Sequence, residues 1–128
     1  MIQEFVDRFM QARGALAARF KGEHPGSYQE IVKAVVDLVK GDAYGHMDPD
    51  RISVIDHGDY QGTLLFVIPA VGYQPDEYWY VKVGYGCCSG CDTLAGIRGY
   101  DDGPPSDGQV QDYMTLALHV VQGLKLMA

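Results

Sequence analysis

From Ile2 onward the apolar residues Ile2, Phe5, Val6, Phe9, Ala12, Leu16 and Phe20 recur at spacings of three and four, the period of a helix with one buried stripe. Gly22, Pro25 and Gly26 end that pattern. Ser27, three positions before Glu30, has the spacing of a capping box. In such a box the serine hydroxyl accepts from the Glu30 amide and the glutamate carboxylate accepts from the amide of Ser27. Tyr28, Ile31, Val32, Val35, Leu38 and Val39 then mark the apolar face of a second helix, closed by Lys40 and Gly41. The lysine suits the negative end of the helix and the glycine its left-handed stop.

The period then changes. Residues 41–50, GDAYGHMDPD, are polar and turn-forming, after which Ile52, Val54 and Asp56 alternate with Ser53, Ile55 and His57. His57-Gly58-Asp59 signals a turn, and residues 63–68 form a β-branched and aromatic run, which together predict a hairpin. In YWYVKVGY, residues 78–85, Trp79, Val81, Val83 and Tyr85 share one face while Tyr80 and Lys82 share the other, as in a third strand. Beyond a glycine-rich stretch, Ser106 and Gln109 repeat the capping-box spacing before Val110, Tyr113, Met114, Ala117, Val121 and Leu124, a third long helix. No repeat or linker divides residues 1–128. The expected fold is a single α+β domain: an antiparallel sheet of three strands, or four, with two N-terminal helices and one C-terminal helix covering one face.

Composition narrows the class of function. The 128 residues are 47% hydrophobic, enough for one core without a stabilising metal or disulfide. Ten Lys and Arg against seventeen Asp and Glu give a net charge of -7, the wrong sign for a protein whose main task is gripping phosphate backbones. The longest apolar stretch, residues 64–71, contains Pro69 and is far shorter than the ~20 residues that span a bilayer. Glu4, Asp7, Arg8 and Arg13 interrupt the N-terminal segment, leaving no secretory h-region. All three cysteines lie within residues 87–91, which is no disulfide framework and fits a reducing cytoplasm.

That cysteine cluster is the chemically unusual segment. A thiol near a helix start sees amide dipoles that favour the thiolate, so Cys88 and Cys91 qualify as nucleophile, metal ligand or redox pair. As a zinc site they supply half of a tetrahedral set, the rest coming from Cys87, His46, His57 or Asp92. As a redox site they lack the βαβ context of thioredoxin-like proteins. The simplest reading makes them small residues closing a tight glycine-rich turn, with no cofactor. His57 beside Asp59 is the best general-base candidate, but no serine elbow or partnered nucleophile accompanies it. Asp48 and Asp50 beside His46 lack the spacing of a calcium loop, and His119 reads as a core-edge residue of the last helix. Nine tyrosines are the remaining anomaly, and those on or near the strands, Tyr78, Tyr80, Tyr85 and Tyr100, are candidates for contact with a protein partner.

The segment YGCCSGCDTLAGI, residues 85–97, together with QVQDYMTLALHVVQGLK, residues 109–125, resembles a group of small uncharacterised phage and prophage proteins whose shared segment reads YGSCSGCDTL. Cys87 stands where that pattern has serine, which singles out Cys88 and Cys91 as the pair that matters. The resemblance implies a phage source and supplies no activity. The expectation is therefore a small acidic, non-enzymatic interaction protein, phage-encoded and binding or inhibiting a host protein such as a defence factor. It would need no nucleic acid or membrane, and homo-oligomers are compatible with it. The rival expectations are a zinc-binding or thiol-redox protein centred on residues 87–91, and capture of a small ligand between that segment and the sheet.

Overall fold

A computed structural model describes residues 2–41, 46–58, 62–72, 77–85, 93–98 and 103–126. Helix α1 (Ile2–Gly22) and helix α2 (Tyr28–Val39) lead into strands β1 (Ser53–Gly58), β2 (Gly62–Pro69) and β3 (Tyr78–Tyr85). The short helix α3 (Thr93–Arg98), helix α4 (Asp107–Gly123) and the two-residue strand β4 (Lys125–Leu126) follow. The sheet is antiparallel in the order β1-β2-β3-β4. The α+β arrangement expected from the periodicity is the one observed, with β4 as the fourth strand.

Ser27 caps α2, its hydroxyl accepting from the Glu30 amide at 3.2 Å. The Glu30 carboxylate accepts from the amide of Gly26, one residue before the position the box spacing predicts. Ser106 and Gln109 form the full reciprocal box at the start of α4. Gly41 takes the left-handed conformation, φ +69, as a stop after Lys40 requires. The cation that reaches the carbonyl end of α2 comes from another helix: Arg8 Nη1 donates to the Val39 carbonyl at 2.9 Å.

The core lies between the helices and one face of the sheet. Phe66, Ile68, Trp79, Val81 and Val83 from the strands are buried with Ile31, Val32, Val35 and Val39 of α2 and Tyr113, Ala117, Val120 and Val121 of α4. Each large apolar side chain so enclosed contributes on the order of 1.5–3 kcal/mol. Register makes the face continuous, with Leu64 opposite Val83, Phe66 opposite Val81 and Ile68 opposite Trp79. Met47, from the stretch expected to be a polar loop, is fully buried, held by a bridge to Ala70. His119 is exposed and not at the core edge, because it falls off the stripe formed by Val110, Tyr113, Ala117, Val120 and Val121.

Candidate protein-binding face

Alternation along a strand sends every second side chain to the far side of the sheet, and the pairing aligns those residues in rows. Ile55 lies opposite Leu65, and Leu65 opposite Lys82. Ser53 lies opposite Val67, Val67 opposite Tyr80, and Tyr80 opposite Lys125. Tyr78 lies opposite Pro69. Ile55 is 46% and Tyr78 39% accessible; Leu65, Val67 and Tyr80 are half-buried, and Lys82 and Lys125 are exposed. The far face is thus an aliphatic and tyrosine surface with lysines toward β3 and β4. No Asp or Glu stands in these rows, although the chain as a whole carries -7.

Of the tyrosines expected at a contact surface, Tyr78 and Tyr80 come together on this face. Tyr85 ends β3 opposite Gly62, its side chain outside the described part, and Tyr100 lies outside the described residues. The aliphatic members Ile55, Leu65 and Val67 were not singled out by motif. For Leu65 and Val67 the signal is that residues 63–68 are apolar at nearly every position, the mark of a strand that is apolar on both faces; for Ile55 it is the adjacent apolar pair Val54 and Ile55. Of the loop carboxylates, Asp48 accepts from the Asp50 amide at 3.0 Å within a turn, and Asp50 pairs with Lys33 at 3.6 Å on the surface.

Cys87, Cys88 and Cys91 lie outside the described residues, so their ligand or redox roles stand as expectations. The backbone on either side of them is placed. His57 is opposite Thr63, and Thr63 opposite Gly84, so His57 belongs to the end of the sheet from which the cysteine segment departs. On its other side, the Leu94 amide donates to the Tyr28 hydroxyl at 3.0 Å, fixing the start of α3 against the first turn of α2. Among the described residues, no group of three His, Cys, Asp or Glu side chains is arranged to hold a metal ion. Among them, too, no helix is long and apolar enough to cross a membrane.

A cleft of about 320 Å³ opens between the end of α1 and the start of α2, lined by Arg19, Phe20, Glu23, His24, Pro25, Glu30, Lys33 and Ala34. Two of its charges already serve the fold, Glu30 at the α2 entrance and Lys33 toward Asp50. Compared with family models, curated proteins and solved structures, the chain matches none.

Proposed function

We propose that this chain is a non-enzymatic protein-binding module, phage-encoded and directed at a host protein, and that the far face of its sheet makes the contact. The observation that carries this reading is the one-sided helix layer. The core face of β2 and β3 is largely enclosed, while the opposite face presents Ile55, Leu65, Val67, Tyr78 and Tyr80 to solvent or half-exposed. Tyrosine offers contact area at low entropy cost with a hydrogen-bonding tip, and it is enriched among residues that dominate interface energetics. Lys82 and Lys125 at the margin favour a partner with an apolar centre and acidic rim. The phage source rests on the resemblance of residues 85–97 and 109–125.

The test is capture from host lysate with three immobilised proteins: the wild type, a Tyr78→Ser/Tyr80→Ser variant, and Met10→Ser, which alters an exposed apolar residue on α1. A stoichiometric partner should be retained by the wild type and by Met10→Ser. Losing two interface tyrosines should weaken its binding by about 30-fold or more. No partner, or one indifferent to the tyrosines, would refute the reading.

A second reading, a zinc or thiol site, is favoured by the placement of His57. Neighbouring strands are about 4.8 Å apart, so the His57 and Gly84 backbones are separated by about 10 Å, and the first cysteine, Cys87, comes three residues after Gly84. On this reading Cys88, Cys91 and His57 would supply three of the four ligands of a tetrahedral zinc. Zinc retained at one ion per chain after purification without chelator, and lost in Cys88→Ser, would put this reading ahead.

A further inference from the structure

We infer that β1 is a self-pairing edge and that two copies of the chain join through it, antiparallel about a two-fold axis at Ile55, into one continuous eight-stranded sheet. This goes beyond the face-docking reading and stands whether or not a host partner exists.

Among the described residues, the strand order leaves β1 with one neighbour. Ser53, Val54, Ile55 and Asp56 are all exposed, Val54 at 42% and Ile55 at 46%, so the helix layer stops short of this strand and both its faces meet water. Soluble proteins blunt such edges with charged side chains, proline, bulges or brevity, and the one charge in β1 is Asp56. β4, at the opposite edge, is two residues long and carries Lys125. β1 is six residues long, SVIDHG, with neither proline nor lysine, and its register with β2 runs without a bulge from Ser53 opposite Val67 to Gly58 opposite Gly62.

The strand's own sequence selects a second copy as occupant and sets the register. Antiparallel partners share a face, so a two-fold pairing must be centred on a residue that faces itself. Centring on Asp56 opposes two carboxylates, which is destabilising. Centring on Val54 sets Ile55 against serine. Centring on Ile55 sets Ile55 against the partner's Ile55 and Asp56 against the partner's Val54, so no like charges oppose. It also extends the row Lys82, Leu65, Ile55 into the same row of the second copy, an apolar band four residues wide with a lysine at each end.

The experiment is sedimentation equilibrium on the full chain over a concentration series, for the wild type, Ile55→Lys and Val54→Lys. Both substitutions are at exposed positions, and circular dichroism checks that each variant folds. The wild type should reach the mass of two chains. Ile55→Lys places two ammonium groups against each other and should give one chain. Val54→Lys faces the partner's Asp56 and should remain at two. Hydrogen exchange on the wild type needs no variant: amides of residues 53–58 should slow as concentration rises while those of residues 125–126 do not. A wild type at the mass of one chain throughout, a dimeric Ile55→Lys, a monomeric Val54→Lys, or β1 exchange independent of concentration would each overturn the inference.

Discussion

The imidazole of His24 and the phenol of Tyr113, 89 positions apart in the chain, are hydrogen-bonded inside the helix layer, Nδ1 standing 2.6 Å from the hydroxyl oxygen. Their rings meet edge to face, centroids 5.7 Å apart, and Phe20 packs against the same tyrosine at 5.6 Å. This polar contact joins the α1–α2 connection to α4. Tyr113→Phe keeps the ring and removes the hydroxyl, leaving the buried imidazole without that partner. Its expected cost is about 1–3 kcal/mol, seen as a lower urea midpoint with an unchanged slope. Tyr113→Leu also loses the aromatic contacts and should cost more.

Arg8 and Gly41 form a second long-range device. The guanidinium donates to the Val39 carbonyl at 2.9 Å, and a methyl group built on Gly41 would lie 2.8 Å from Arg8 Cζ. Gly41→Ala therefore suffers twice, from a left-handed backbone costing about 1–2 kcal/mol in any L-residue and from crowding against the guanidinium. Arg8→Ala loses a charge-assisted bond worth about 1.5–3 kcal/mol. The double variant should be more stable than the sum of the two losses predicts, by about 0.5 kcal/mol or more, because removing Arg8 also removes the crowding. Strict additivity in denaturant unfolding would contradict this geometry.

These two contacts divide what the chain discloses locally from what it does not. Ser27, Ser106, Gly41, the three long helices and the hairpin are legible because each depends on residues within one turn or one strand pair. The meetings of His24 with Tyr113 and Arg8 with Val39 depend on how elements dock, which no spacing encodes. Met47 was invisible for a similar reason, since one apolar residue in a polar stretch has no period. Tyrosine flagged the far face by composition, but Ile55, Leu65 and Val67 became part of it only once register was known. The thiol segment stands apart: its residue types are conspicuous in sequence, and it lies outside the described residues.

Helix α3 has six residues, too few to persist alone. Two side chains from other helices hold it: the Tyr28 hydroxyl accepts from the Leu94 amide, and Gln109 Nε2 donates to the Ile97 carbonyl at 3.0 Å. Gln109 Oε1 meanwhile accepts from the Ser106 amide at 2.8 Å, so one residue caps α4 and tethers α3. Tyr28→Phe and Gln109→Ala should each speed exchange of the amides in residues 93–98 by about ten-fold, the equivalent of one bond at roughly 1.4 kcal/mol. The core strands should change little. Mass spectrometry of a peptide covering α3 reads this directly, and unchanged exchange in both variants would mean that something else anchors the helix.

Two glycines in helices should respond to alanine with opposite signs. Nothing lies within 4 Å of a methyl group built on Gly14 in α1, so Gly14→Ala gains helix propensity at no steric cost and should stabilise by about 0.5–1 kcal/mol. A methyl group on Gly123, where α4 crosses β3, would stand 3.1 Å from Val81 Cγ2. Val81 is 1% exposed and lies opposite Phe66 in the sheet, so it has little room to retreat. Overpacking of about 1–3 kcal/mol then outweighs the propensity gain, which is already weaker at the last residue of a helix. In a Val81→Ala background the obstructing methyl group is gone, and Gly123→Ala should turn neutral or stabilising. Thermal unfolding of the four proteins in that cycle checks the reversal; a Gly123→Ala that is as favourable as Gly14→Ala in the wild-type background would show that α4 and β3 are less tightly packed than their contact implies.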